Sequence, residues 1–210
     1  MISTVVSDFG GVLTTPLVDA FAEVQSHYGI QPEDLGSGMA AVMRKTGKHP
    51  LYEMECGRLS EPEFMRMLGD EVGKPLHEFS ERYFAALRTN HEMLDLLREA
   101  REAGFRLAML TNNVREWEPR WRAMLPVDEL FEDVVDSAYV GMRKPDAEIY
   151  ELTCSRLRVA PQECLFIDDI EVNCIAAREA GMHAVWFLTT EQAAGEVRAA
   201  LGLPDRARGT

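Results

Sequence analysis

The sequence predicts an α/β protein, a doubly wound and mostly parallel sheet with a helical cap inserted after its first strand. Three observations carry that expectation. A short, β-branched apolar run over residues 2–8 stops at Gly10-Gly11, as a buried strand does on entering a tight loop. From residue 31 to about 90 no strand pattern is present. Beyond that stretch strands and helices alternate strictly, which is the pattern of a parallel sheet covered on both faces. The expected division is a core of residues 1–14 and 91–210, with residues 15–90 as the cap.

Each element has its own signal. Thr15-Pro16 opens the first helix, with Thr15 as N-cap, Pro16 in the first turn and Gly29 just past the end. Leu17, Ala20, Phe21, Val24 and Tyr28 fall on one helical stripe. Ser60-Glu61-Pro62-Glu63 reads as a capping box before Phe64, Met65, Leu68 and Val72. Glycine-containing breaks at 36–38, 47–50, 57 and 73–75 divide this region into short helices. A helix over about 91–103 closes at Gly104, and strand 106–110 enters Thr111-Asn112-Asn113 and a further helix. A third strand lies near 134–137 and a helix spans 146–157. Strand 164–167 enters Asp168-Asp169, a helix from about Asn173 ends at Gly181, and strand 183–188 precedes a C-terminal helix.

Composition narrows the function classes. Over 210 residues, 22 Lys and Arg stand against 35 Asp and Glu, a formal charge of −13. Such a field disfavours nucleic-acid backbones and anionic membranes as partners. An anionic substrate needs a local positive group or a metal. No apolar run reaches the roughly 20 residues of a membrane helix, and the N-terminus lacks the features of a signal peptide. The four cysteines form no CxxC pair and no His-paired spacing, so zinc is not expected and reduced, packed thiols of a cytoplasmic protein are. A small-molecule partner fits; oligomeric state is not legible.

In such sheets ligands bind beyond the carboxyl ends of the strands. Those ends carry Asp8, Thr111-Asn112 and Asp168-Asp169, with Lys144 in the loop after the third strand. Clustered carboxylates repel unless a cation sits among them, and an oxygen-only set suits Mg²⁺. Asp8 then serves as metal ligand and as the nucleophile that attacks phosphorus. Lys144 offsets the carboxylate charge and holds Asp8 and the transferring phosphoryl group, while Thr111 Oγ1 and the backbone or side-chain N–H groups of Asn112 hold phosphoryl oxygens.

Asp8-Phe9-Gly10-Gly11-Val12-Leu13, Leu110-Thr111-Asn112, Lys144-Pro145 and Phe166-Ile167-Asp168-Asp169-Ile170 resemble the four ordered motifs of haloacid dehalogenase-like (HAD) hydrolases, whose core is Rossmann-like. The order and spacing cover residues 5–188. The stretch from Val140-Gly141-Met142-Arg143 to Ala180-Gly181-Met182 is most similar to the N-terminal phosphatase domain of soluble epoxide hydrolases, a subgroup with a helical cap between its first two motifs. The resemblance implies a Mg²⁺-dependent phosphatase acting on a small phosphorylated metabolite. It implies Asp8 as nucleophile, Asp8, the Gly10 carbonyl and Asp169 as metal ligands, Thr111 and Asn112 as phosphate binders, and Lys144 as the third-motif cation.

One position departs from the family pattern. Gly10 stands where family phosphatases place an acid/base aspartate, a group worth roughly 10²–10⁴-fold in rate. Slow turnover is one expectation. A protein that binds a phosphorylated ligand or a protein partner without turnover is the alternative, and a haloacid dehalogenase a weaker one. Asp168 is open to a supporting role paired with Lys144. Asn173 is open to a water-mediated metal contact or an N-cap, and Thr111-Asn112 to an N-cap as well as phosphate binding. Arg115, Arg120 and Arg122 beside Trp117 and Trp121 form either a cleft rim or, as expected here, a helix whose tryptophans pack while its arginines pair with local acids.

Overall fold

Thr4–Ser7 forms the central strand, β1, because its four small or β-branched residues are buried and fit a sheet covered from both sides. The computed structural model describes residues 1–204, so the last six residues of the expected core lie outside the description. Five helices follow β1: α1 (Leu17–Tyr28), α2 (Pro32–Thr46), α3 (Pro50–Glu55), α4 (Glu61–Val72) and α5 (Phe79–Ala86). Then come α6 (His91–Glu102), β2 (Arg106–Thr111), α7 (Glu118–Arg122), α8 (Val127–Leu130), β3 (Asp133–Asp136) and α9 (Ser137–Val140). The chain continues through α10 (Ala147–Leu157), β4 (Cys164–Asp168), α11 (Glu171–Glu179), β5 (His183–Trp186) and α12 (Thr190–Leu201).

The five strands pair in parallel in the order β3-β2-β1-β4-β5. From β1 the chain builds outward on one side and then crosses to β4 on the other. The order reverses between β1 and β4, and the crevice beyond their carboxyl ends is the natural binding position. Register aligns those ends: Ser7 lies opposite both Met109 and Ile167, and Thr111 opposite Asp136.

Alternation along the strands builds two cores. Val6, Ala108, Leu110 and Phe166 pack with Ile149 and Tyr150 of α10 and Ala177 of α11. On the other face Val5, Leu107, Met109, Leu165 and Ile167 join a larger cluster. That cluster runs on through Phe9 and Leu13 into Ala20, Val24, Met54, Phe64 and Leu68. The helices between β1 and α6 therefore share apolar packing with the sheet. At roughly 1.5–3 kcal/mol for each fully buried large apolar side chain, this shared cluster ties the two regions together.

The chain leaves and re-enters the sheet region at one place. Thr14 and Thr89 form an isolated antiparallel bridge. Thr15 N–H donates to the Arg88 carbonyl at 2.8 Å and Asn90 N–H to the Leu13 carbonyl at 2.9 Å.

Some local expectations are corrected. Pro16, not Thr15, precedes the first turn of α1, and Thr15 Oγ1 instead accepts the Arg88 N–H at 3.1 Å across the paired crossing. Ser60 stands at the start of α4 without a side-chain cap bond, so the capping box is not formed. Helix α11 starts at Glu171, two residues before the expected Asn173. No helix begins at Thr111-Asn112; the first helical turn after β2 starts at Arg115 with Val114 before it. Among the described residues no helix is long and apolar enough to cross a membrane.

Candidate active site at the strand ends

Asp8 extends β1 by one residue: its N–H donates to the Ile167 carbonyl at 2.8 Å, which continues the ladder with β4. The carboxylate thus emerges at the reversal of strand order. Lys144 reaches it from the loop after α9. The Asn112 side chain clamps the lysine's backbone, donating to Lys144 O at 2.9 Å and accepting from Lys144 N at 2.8 Å. The Lys144 ammonium has three N–H donors, and three acceptors surround it. These are Leu110 O at 3.0 Å, Asp168 Oδ2 at 2.6 Å and Asp8 Oδ1 at 2.8 Å.

Asp168 is fully buried and held from the far side. Its Oδ1 accepts from Ile170 N at 2.8 Å, and Asn173 Nδ2 lies 3.0 and 3.2 Å from its two oxygens. It buttresses the lysine, and Asn173 supports Asp168 and caps no helix. Asp169 lies against the first loop. Gly11 has φ +76°, and a Cβ there would come within 2.2 Å of Asp169 Oδ2. Only glycine accepts both that backbone and that approach.

Ligand atoms of Asp8, Asp168 and Asp169 lie within 4.8 Å of one another. Asp8 and Asp168 share one ammonium with Asp169 close by, and the crowding shows in the protonation of Asp8 and Asp169. Burial pushes Asp8 up to about 7, with Asp168 and Asp169 adding to the rise and Lys144 opposing it. Burial raises Asp169 to about 6, again with Asp168 adding and Lys144 opposing. For Lys144, burial disfavours the charge, but Asp168 and Asp8 outweigh it and hold the ammonium above its ordinary range. A second cation would relieve this crowding, and an all-oxygen donor set fits a hard divalent ion. The residues present fit Mg²⁺.

These groups open onto a cleft of about 190 Å³ lined by Asp8, Gly10, Thr111, Asn112, Lys144, Asp169 and Asn173. Every expected site residue but Asp168, which lies beneath them, is on that surface. The Asn112 side chain gives one N–H and its oxygen to the Lys144 backbone, which leaves its backbone N–H and a second amide hydrogen for an anion. A larger hollow of about 870 Å³ lies away from the strand ends, between α4 and the segment leading into α5. Its lining lacks the carboxylate cluster, so chemistry and not size selects the smaller cleft. The Arg115, Arg120 and Arg122 cluster is no rim. Trp121 is fully buried, Arg122 pairs with Glu118 and Asp128, Arg120 with Glu81, and Arg115 donates to Ala138 O.

Three cleft residues escaped sequence reading. Leu17 packs where a side chain at position 10 would go, its Cδ1 2.9 Å from the place of a Cβ on Gly10. Glu55 and Arg143 pair across the cleft at 2.7 Å, and Arg143 stacks over Tyr52 at 3.9 Å. Arg143 adjoins Lys144 in sequence, the one available hint; its partner lies 88 residues away.

Comparison with known proteins agrees with the geometry. The chain is 29% identical over 207 residues to a sesquiterpene phosphatase of Aspergillus oryzae, covering 93% of this chain and 94% of the relative. It is 23% identical to the bifunctional epoxide hydrolase 2 of Rattus norvegicus, covering 93% of this chain but 38% of that longer protein. Among solved structures, a HAD-family enzyme of Bacteroides thetaiotaomicron, in complex with magnesium and inorganic phosphate, superposes with a TM-score of 0.68. It is 23% identical, with 89% of this chain and 94% of that one covered. The family model for haloacid dehalogenase-like hydrolases matches residues 2–181. With four ordered motifs gathered at one edge of a parallel sheet, the chain belongs to the haloacid dehalogenase-like hydrolase family.

Proposed function

We propose that the protein is a Mg²⁺-dependent phosphatase that acts on a small phosphate monoester through an aspartyl-phosphate at Asp8. The observation that carries this reading is the cluster of Asp8, Asp168 and Asp169 around one fully spent lysine at the strand-order reversal. Asp8, the Gly10 carbonyl and Asp169 would hold Mg²⁺, which when bound offsets carboxylate charge and polarises a phosphoryl oxygen. Thr111 Oγ1 and the Asn112 backbone N–H orient the phosphoryl group, while Lys144 keeps Asp8 placed for attack. An Asp8 carboxylate oxygen bonds to phosphorus as the ester P–O bond breaks. The alcohol oxygen leaves with that electron pair and takes its proton from water, since position 10 carries no acid. A second water then attacks the same phosphorus and loses its proton to solvent; the Asp8–P bond breaks, and inorganic phosphate leaves.

Residues 15–90 act in this reading as the cap, hinged at the paired crossings Thr14-Thr15 and Thr89-Asn90. The free and buried thiols Cys56, Cys154, Cys164 and Cys174 support a reducing, cytoplasmic setting. Two variants test the mechanism. Asp169→Ala should abolish Mg²⁺ binding in calorimetry with the fold intact, and Asp8→Asn should eliminate phosphate found on the quenched wild-type protein by mass spectrometry. Unchanged Mg²⁺ affinity in Asp169→Ala overturns the metal assignment. One observation favours a second reading, ligand binding without turnover: Leu17 fills the acid/base position. Absence of both phosphoenzyme and turnover on any ester would select it.

A further inference from the structure

We propose that the ester this cleft accepts is the phosphate monoester of an apolar alcohol, and not of a sugar or another polyol. The proposal rests on the reading above for the phosphate end of the ligand. The cleft has two unlike halves. Its floor is charged and polar, set by the strand ends. Its wall consists of Leu17 and Phe21 of α1, Leu51 and Met54 of α3, Phe84 of α5, and Trp117 after β2. These rings brace one another. Phe84 meets Trp117 edge-on with centroids 5.4 Å apart, and Phe21 lies 4.9 Å from the Tyr83 ring. The wall is therefore a packed apolar surface with a defined shape.

Polar groups on that wall are few. Glu55 and Arg143 engage each other through Oε2 and Nε at 2.7 Å, and the rest of the guanidinium lies over the Tyr52 ring at 3.9 Å. The helical segments also bring the Tyr83 hydroxyl to the cleft, while the Trp117 indole nitrogen is buried behind its ring without a partner. A polyol seated against the apolar wall would leave hydroxyls facing carbon, and each hydroxyl left unpaired weakens binding by roughly tenfold. An apolar alcohol gains instead, by roughly fourfold for each methylene removed from water. Size agrees. About 190 Å³, room for roughly six water-sized volumes, takes the phosphoryl group and an apolar fragment such as a short chain or one ring. A longer chain would leave over Ile170, which lines the cleft and is 50% exposed.

The test compares two non-hydrolysable ligands by calorimetry on the full chain with Mg²⁺ present. They are hexylphosphonate and 3,4-dihydroxybutylphosphonate, the analogue of glycerol 3-phosphate. Hexylphosphonate is expected to bind at least about tenfold more tightly. Phe84→Asn should reduce that ratio, the loss falling on hexylphosphonate far more than on inorganic phosphate, with Phe84→Leu restoring it. Leu51→Asn serves if Phe84→Asn fails to fold by circular dichroism. Equal affinities, or tighter binding of the diol, overturn the proposal. Steady-state rates separate this from the catalytic reading. Preferred turnover of sugar phosphates overturns the ligand class and leaves the phosphatase standing. Tight hexylphosphonate binding without turnover of hexyl phosphate supports the ligand class and overturns the catalysis.

Discussion

At the floor of the cleft, Lys144 spends its ammonium on Leu110 O, Asp168 and Asp8, while Asn112 clamps its backbone from below. Facing it, Leu17, Phe21, Leu51 and Phe84 make a wall by shape and apolar contact alone. Floor residues sit at strand ends whose positions the sheet register dictates. Wall residues sit on helices that meet the sheet through a shared apolar cluster and one paired crossing. The difference teaches where each kind of change is felt. A floor substitution strands a buried charge, whereas a wall substitution reshapes what the cleft admits.

The largest expected effect breaks the floor. Lys144→Met leaves Asp8 and Asp168 buried without their cation and should cost about 3–5 kcal/mol of stability at pH 7, along with all turnover. Asp8 already has its pKa pushed up to about 7, so at pH 5 it carries a proton and misses the ammonium less. Urea unfolding at the two pH values should show the loss shrinking at pH 5. An equal loss at both would mean that Lys144 does not act by compensating charge.

The next sharpens the boundary between floor and wall. Gly10→Asp alone should not speed turnover of an alkyl phosphate, because its Cβ would meet Leu17 Cδ1 at 2.9 Å. Combining it with Leu17→Ala opens that space, and turnover should then rise by up to roughly 10²–10⁴-fold. Steady-state phosphate release from the single and double variants decides the point. A gain in the single variant would show that Leu17 moves aside freely.

The smallest effect lies at the same sheet edge but away from the lysine. Asp136 ends β3, where its Oδ1 accepts from Ala138 N at 2.9 Å and its buried Oδ2 has no partner. Burial chiefly raises it to about 6. A carboxyl raised in the folded state contributes stability that is present below its unfolded value, near 4, and lost as pH rises through about 6. Asp136→Asn keeps an acceptor for the Ala138 N–H and removes the ionisation. Relative to wild type it should gain about 1–2 kcal/mol between pH 4.5 and pH 8. Thermal melts at the two pH values measure it, and a flat difference would refute the assignment.

The ordered motifs at 8–13, 110–112, 144–145 and 166–170 were legible because each is a contiguous run at a strand end, and strand ends are marked by local period and composition. Parallel pairing followed from alternation, since parallel strands joined by helices must gather their carboxyl ends at one edge, whereas the strand order came only with the structure. Capping was less legible. Ser60 and Thr15 have the right residue types, but α4 begins without its cap bond and Thr15 is drawn to Arg88. A side chain with a choice of partners takes the one that tertiary packing brings near.

What the sequence determined by itself is the family, the sheet and the charged floor, for those depend on residues near one another along the chain or placed by strand register. Tertiary structure alone decided that Asn112 holds the Lys144 backbone, that Arg143 pairs with Glu55 from 88 residues away, and that Leu17 fills the space beside Gly10. Each of those contacts joins distant elements, and it exists only because burying a shared apolar core fixes how the helices sit against the sheet. Local spacing carries no record of that docking.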